Sequence, residues 1–177
     1  GSHGIMPIFS DSMKYGEWYH AAPSFLNLSI DSGVCNRASM FRSLEENAAI
    51  VSSINLENIK EFSGIEIEEI VFAGGASKGA LWSQILADVT GYRVKIPKVT
   101  EATALGGAMA AGVGCGVYET LEEAAVKLVV WDKSYEPNMQ NKKIYDELKV
   151  KWQSAYEAQL KLVDENVTTS MWKAPGL

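Results

Sequence analysis

The stretch VFAGGASKGALW, residues 71–82, places an apolar run directly before a pair of glycines. Ser77, Lys78 and Gly79 come next, and residues 81–89 then carry apolar side chains at helical spacing. This order predicts a strand buried on both faces, a tight turn and an amphipathic helix. Many proteins bind a phosphate at the amino end of such a helix, so the turn is the first candidate for a binding site.

The chemistry of the turn favours an anion. Gly74 and Gly75 have no side chains, so a ligand can approach their backbone closely. We expect Ser77 to cap the following helix and Lys78 to add a positive charge. The turn is not a P-loop, because Ala80 stands where that motif needs lysine, and it is not a G-x-G-x-x-G fingerprint. The residues alone leave two interpretations open: a phosphate or nucleotide site, and a plain tight turn. The candidate site residues are Gly74, Gly75, Ala76, Ser77, Lys78 and Gly79.

Strands alternate with helices on either side of the turn, which predicts an α/β domain. Gly91 ends the helix that follows the turn, and Gly112–Gly116 ends a helix, where the dipole disfavours a phosphate. The patterns predict strands over residues 25–31, 65–73 and 92–96, and helices over 36–53, 56–62, 101–116, 121–130 and 142–163.

The helix over 101–116 is rich in glycine and alanine. Each glycine costs a helix about 1 kcal/mol relative to alanine, so these glycines imply close approach of another backbone or a ligand. We expect Glu101 to cap this helix and Asp88 to serve as an internal cap or salt bridge in preference to a Mg2+ ligand. Trp82 and Trp152 are predicted to lie in the core.

Composition excludes several classes of function. The chain has 177 residues, 47% of them hydrophobic, and a net charge of −6, which argues against a nucleic-acid partner. Cys35 and Cys115 are expected to be free thiols in a reducing compartment. His3 and His20 are the only histidines and do not have zinc-ligand spacing, so no metal site is predicted and His20 is read as structural. We expect a cytoplasmic protein without a membrane partner.

The first residues of the chain are unusual. Gly1–His3 has the sequence of a cleaved tag remnant, which leaves residues 4–177 as the domain. The apolar stretch Ile5–Phe9, followed by Met13, Tyr15, Trp18 and Tyr19, leaves two interpretations open: a packed N-terminal segment, and a surface that the missing part of a longer protein covers. Asp11 and Asp31 are read as loop carboxylates.

Two motifs closely resemble the C-terminal domain of the FGGY carbohydrate kinases. The first is the glycine turn with Trp82, Gln84 and Asp88, and the second is EATALG, residues 101–106. FRSLEENAA upstream is similar to the family's Arg-Ala-x-x-Glu-Gly helix at Arg42 and Glu46. The segments IMPIFSD, YHAAPSFLNLSID, LEENAAIVS and SMWKAPGL extend the resemblance, toward one particular kinase of the family, over nearly the whole chain.

The sequence departs from the family at three places. Asn47 replaces a glycine, Ala76 replaces a frequent third glycine, and Pro23-Ser24 stands where many members have Arg-Gly. We interpret the last change as an adaptation to an acyclic substrate.

The resemblance implies an actin-like ATPase (ribonuclease H-like) fold, of which this chain is the C-terminal, nucleotide-binding half and is incomplete at its N-terminus. It implies ATP and Mg2+ as cofactors and a small-molecule substrate shared with a preceding domain. The catalytic aspartate of the family lies in that preceding part, so no catalytic residue is expected here and the chain alone is expected to be inactive. Oligomerisation stays open. The alternatives are a pentulose or polyol kinase of the same family, and a non-catalytic interaction module.

Overall fold

The structure is a computed structural model that describes residues 1–9 and 19–172. In that part of the chain five strands are interspersed with five α-helices, so the expected α/β class is confirmed. The strands are β1 Met6–Ile8, β2 Ser24–Leu26, β3 Glu69–Val71, β4 Arg93–Pro97 and β5 Trp131–Tyr135. The helices are α1 Arg37–Ser63, α2 Ala80–Thr90, α3 Ala102–Gly114, α4 Leu121–Leu128 and α5 Met139–Asp164.

The strands form two sheets. β1 and β2 pair antiparallel, with Met6 opposite Leu26. β4 is the centre of the other sheet, where β3 pairs with it in parallel and β5 antiparallel. The unit β3–α2–β4 therefore brings the carboxyl ends of two parallel strands to one edge of the sheet, which is where α/β proteins place their ligands.

The core lies between the helices and both sheets. Side chains of β1, α1, α2, β4 and α5 form one buried cluster, and α2 packs against both α1 and α5. Ile8, Ile50, Ile85, Val89 and Val94 are among its most completely buried members. Trp152 is buried as expected, whereas Trp82 is half-buried and packs edge-to-face on Phe72.

The helix predictions hold best where a cap is present. Asn36 caps α1 in a reciprocal arrangement with Ser39, and Gly64 and Gly91 end α1 and α2 in the left-handed conformation. The prediction of two helices over 36–53 and 56–62 is wrong, because α1 runs through both as one helix of 27 residues. Nothing between Ser53 and Leu56 has the glycine or proline that would end a helix.

The strand predictions are too long. The strand expected over 25–31 ends at Leu26, because Asn27 has a positive φ of 60°, and Leu28 and Ile30 are exposed. The strand expected over 65–73 is reduced to β3, and its burial on both faces is wrong. β3 is an edge strand whose Val71 is 55% exposed.

The apolar start is covered by the chain itself. Ile5, Met6 and Ile8 are buried, which confirms the interpretation of a packed N-terminal segment for these residues. The expectation that Ile5–Phe9 faces a missing part is wrong for the same three residues. Met13, Tyr15, Trp18 and Asp11 lie outside the described residues. Ser2, assigned to the tag remnant, is also buried, and its carbonyl accepts a hydrogen bond from the Ile5 amide. The tag assignment stays a prediction.

The glycine-rich helix α3 is largely exposed, with Met109 as its one buried residue. Gly112 has a packing reason, since a Cβ there would lie 2.8 Å from the Tyr118 ring. Gly106 and Gly107 face open space, so the close approach predicted for them is not made within the described residues. Cys35 and Cys115 are free thiols. None of the described helices combines the length and hydrophobicity that crossing a membrane requires.

Candidate nucleotide site

The glycine turn connects β3 to α2 through one short 3₁₀ helix, Gly75–Lys78. Gly74 precedes it with a φ of 88°, a conformation that favours glycine. The expectation that Ser77 caps α2 is wrong, because Gly79 occupies the N-cap position. The Ser77 hydroxyl instead donates to the Gly74 carbonyl at 2.7 Å and so closes the turn on itself.

The inner side of the turn is fixed by hydrogen bonds. The Gly74 amide donates to the Thr100 carbonyl at 2.9 Å, which ties the turn to the loop after β4. Ser83, on the first turn of α2, donates through its hydroxyl to the Gly79 carbonyl at 3.0 Å. Ser77 and Ser83 are both buried, so this scaffold is shielded from water.

The outer side of the turn is open. The amides of Gly75 and Ala76 donate to no backbone carbonyl in the described part of the chain, since they are the first two of the 3₁₀ helix. A Cβ on Gly75 would meet nothing within 4 Å, and Gly75 does not have a positive φ. Neither conformation nor internal packing therefore requires glycine at this position. A ligand that lies directly on the backbone would require glycine here, because any side chain would occupy the space of the ligand.

Two charged side chains, those of Lys78 and Glu101, belong to the turn and to the loop beside it. Lys78 is exposed and forms no ion pair with any described residue. Glu101 occupies the N-cap position of α3, but its side chain makes no capping hydrogen bond, so its predicted capping role is wrong. As far as the described residues show, the turn thus combines two unpaired amides and an unpaired lysine, and the next residue after Thr100 carries an unpaired carboxylate.

Sequence reasoning missed Thr100 as a part of this site. Its carbonyl accepts from the amides of both Gly74 and Ala102, at 2.9 Å each, and so joins the turn to α3. The signal was present in the chain order, because residues after two adjacent parallel strands lie side by side.

A sequence model of the FGGY family of carbohydrate kinases, C-terminal domain, matches residues 5–115. The chain belongs to this FGGY family. The resemblance carried by the glycine turn, EATALG and FRSLEENAA is thereby confirmed.

Two relatives of high identity share one name. Proteins named autoinducer-2 kinase from Klebsiella pneumoniae and Yersinia enterocolitica are 60% and 59% identical to this chain over all 177 residues. This is the kinase that IMPIFSD and SMWKAPGL resemble. The chain spans about a third of the length of these relatives, 33% and 34%.

Solved FGGY structures share the fold. A xylulose kinase from Rhodospirillum rubrum superposes with a TM-score of 0.72 and 20% identity, covering 92% of this chain and 32% of that one. A Plasmodium falciparum glycerol kinase with ADP superposes with a TM-score of 0.71 and 20% identity, covering 90% of this chain and 31% of that one. The expected fold, the C-terminal part of an actin-like sugar kinase, is confirmed.

Two FGGY motif residues, Arg42 and Glu46, lie in α1 far from the turn in sequence and join α1 to α5. Arg42 Nε donates to Glu46 Oε1 at 2.8 Å, and Tyr145 contacts both side chains. Burial raises the pKa of Tyr145 to about 12, and repulsion from Glu46 adds to this effect. Burial opposes the charge of Arg42, but hydrogen bonds to Glu46 and Tyr145 raise its pKa overall. Arg42 and Glu46 therefore have a structural role, which is to hold α1 against α5.

The FGGY motif residues of α2 are also structural. Asp88 is buried and accepts hydrogen bonds from Gln84, from the Asn138 amide and from Asn141. This agrees with the internal cap expected for Asp88. The described residues contain no cluster of three metal-ligating side chains.

A surface cavity of about 230 Å³ on the outer face of β4 and β5 is not part of this site. Its cations Arg93 and Lys95 pair with Glu136 and Glu69, and Lys95 also stacks on Trp131. Its third cation, Lys133, lies 4.0 Å from Asp132. Paired charges of this kind do not favour an anion.

Proposed function

We propose that this chain is the nucleotide-binding C-terminal part of an ATP-dependent autoinducer-2 kinase. The intact enzyme transfers a phosphoryl group to a terminal hydroxyl of dihydroxypentanedione, the quorum-sensing signal. The observation that carries the proposal is the outer face of the glycine turn, where free amides meet open space. The assignment of the substrate rests on the 60% identity, along the whole chain, to proteins named autoinducer-2 kinase.

The turn binds the phosphates of the nucleotide in this proposal. Gly74 and Gly75 allow contact with the backbone, and the amides of Gly75 and Ala76 donate to phosphate oxygens. Ser77 holds the Gly74 carbonyl inward, away from the anion, at 2.7 Å. Lys78 supplies a point charge, and Gly79 begins α2.

ATP and Mg2+ fit this arrangement in different ways. The open turn has donors for phosphate, whereas the described residues supply no carboxylate cluster for a cation. Mg2+ commonly binds to substrate phosphates with one or two carboxylates, so we assign it to the nucleotide and not to a ligand set in this chain. Its role when bound is to neutralise charge on the phosphates.

The remaining parts of the reaction belong to the longer protein. The catalytic aspartate and most of the acceptor site lie in the preceding domain, and residues 4–177 form the partial C-terminal domain. The intact enzyme is cytoplasmic and has no nucleic-acid or membrane partner. Another FGGY sugar kinase is the alternative, but the xylulose and glycerol kinases share only 20% identity with this chain.

Calorimetric titration of MgATP into the intact protein tests the proposal. We expect saturable binding that Gly75→Arg abolishes, because the arginine side chain fills the open face of the turn. Gly114→Arg is the matched control, since Gly114 also faces open space but lies at the far end of α3. Equal binding by the wild type and Gly75→Arg contradicts the assignment of the turn.

A further inference from the structure

Glu101 lies beside the glycine turn. It follows Thr100, whose carbonyl accepts the Gly74 amide at 2.9 Å, and it precedes Ala102, whose amide donates to the same carbonyl. Residue 101 is therefore held at the edge where β3 and β4, which are parallel and adjacent, have their carboxyl ends. The glycine turn follows β3 and Glu101 follows β4, so the two lie at the same edge of the sheet.

The carboxylate of Glu101 has no structural role in the described part of the chain. It stands at the N-cap position of α3 with φ −80° and ψ 65°, and no side-chain capping bond is made. The residue is exposed, and its carboxylate has no ion-pair or hydrogen-bond partner there, whereas its backbone carbonyl accepts the Leu105 amide. Helix N-caps normally favour short side chains that reach back to the backbone, and glutamate is not among them. A residue without a packing or capping reason is a candidate for ligand contact.

Topology indicates which part of a nucleotide Glu101 would meet. In doubly wound α/β proteins, phosphates bind at the glycine turn after one strand, and an acidic residue after the neighbouring parallel strand accepts a hydrogen bond from a ribose hydroxyl. The order β3, glycine turn, α2, β4, Glu101 reproduces that placement on a different fold. A carboxylate accepts hydrogen bonds and repels phosphate, so it suits a hydroxyl donor.

We propose that Glu101 accepts a hydrogen bond from a ribose hydroxyl of the nucleotide that binds at the glycine turn. This inference rests on the proposed function, since it requires a nucleotide there. Glu101 is then a specificity residue that selects ribonucleotides and fixes the sugar relative to the phosphates. A single carboxylate outside any cluster is a poor cage for Mg2+, which makes metal binding the weaker assignment.

The test compares ATP with 2′,3′-dideoxy-ATP in the intact protein, which contains both walls of the site. We measure kcat/KM for both nucleotides in the wild type, in Glu101→Gln and in Glu122→Gln. Glu122 is an exposed carboxylate at the start of α4, so its variant removes the same charge elsewhere. A hydrogen bond to a charged group corresponds to a preference for ATP of about 10- to 100-fold.

We expect the wild type and Glu122→Gln to prefer ATP by that factor and Glu101→Gln to lose most of the preference. A Glu101→Gln protein that prefers ATP as strongly as the wild type overturns the inference. Equal loss with both nucleotides also overturns it and indicates a contact with Mg2+ or phosphate. A wild type that binds no MgATP in calorimetry refutes the proposed function itself. Thermal unfolding of each variant separates these results from misfolding.

Discussion

Asn47 replaces a glycine of the family, and the structure gives it a role in packing. Its side-chain amide donates to the Phe9 carbonyl at 2.6 Å and accepts from the Trp152 indole at 2.8 Å. The indole also donates to the Pro7 carbonyl at 2.9 Å. One buried side chain thus joins β1, α1 and α5. This departure from the family thus has a structural reason.

The neighbouring Glu45 is a buried carboxyl whose Oε2 has no hydrogen-bond partner among the described residues. Burial raises its pKa above the ordinary 4.5, repulsion from Glu46 acts in the same direction, and attraction to Arg42 opposes both. We expect Glu45→Gln to unfold at a higher urea concentration than the wild type at neutral pH, because the amide carries no charge to bury.

The sign of the pH dependence follows from linkage. Because the folded carboxyl binds its proton more tightly than the unfolded one, its contribution to stability is complete below pH 4.5. It is lost as pH rises through the folded pKa. The advantage of Glu45→Gln should therefore shrink below pH 4.5. If Glu45→Gln is more stable than the wild type by the same amount at neutral pH and below pH 4.5, this account is contradicted.

Single residues were predictable where their role is local. The left-handed glycines at 64 and 91 end helices because no other residue is as free at positive φ, and this is visible in the sequence. Thr100 was not predictable from local pattern, because its role depends on a contact with Gly74, across α2 and β4. Glu101 was misassigned for the same reason, since its place beside the turn arises from strand pairing.

At the scale of elements, the start of α5 depends on α2. Asp88 accepts from the Asn138 amide at 2.8 Å and from Asn141 at 2.7 Å, so a buried carboxylate holds the first turn of α5. We expect Asp88→Ala to lower the free energy of unfolding by more than about 2 kcal/mol, because charged hydrogen bonds are lost and buried donors are left unpaired. Hydrogen exchange of residues 139–145 should accelerate before the rest of the core.

Asp132→Ala is the control for this prediction. Its side chain is half exposed and lies 4.0 Å from Lys133, so we expect a change of less than about 0.5 kcal/mol. Uniform acceleration of exchange across the chain in Asp88→Ala would indicate a global loss of stability and contradict the local role.

Elements differ in how far the sequence specifies them. α2 and β4 were predicted nearly to the residue, because amphipathic periodicity and Gly91 are both local. β5 was missed, since WDKSY is an edge strand with four exposed residues and has no apolar alternation. In α5, the apolar Ile144 is exposed, while Tyr145 and Tyr156 are buried. The helix face turned inward is decided by packing on α2 and β1, which the local pattern does not show.

At the scale of the molecule, the described residues expose several large apolar side chains and a helix rich in small residues. Phe62 is 95% exposed, Val71 on the edge of β3 is 55% exposed, and α3 buries only Met109. Exposed apolar edges and small-residue helices are surfaces that proteins normally cover. The curated relatives are about three times as long as this chain. Both observations are consistent with a site whose second wall comes from the longer protein.

We therefore expect this chain alone to bind MgATP weakly and to transfer no phosphoryl group. Catalysis of this transfer depends on holding the acceptor hydroxyl in line with the terminal phosphate, an advantage of about 7–11 kcal/mol that requires both walls. The measurement is transfer of radiolabelled phosphate from ATP to dihydroxypentanedione by the isolated chain and by the intact protein at equal concentration. Turnover by the intact protein alone agrees with a divided site. Turnover by the isolated chain would place the whole reaction in these 177 residues and contradict the assignment of the catalytic aspartate to the preceding domain.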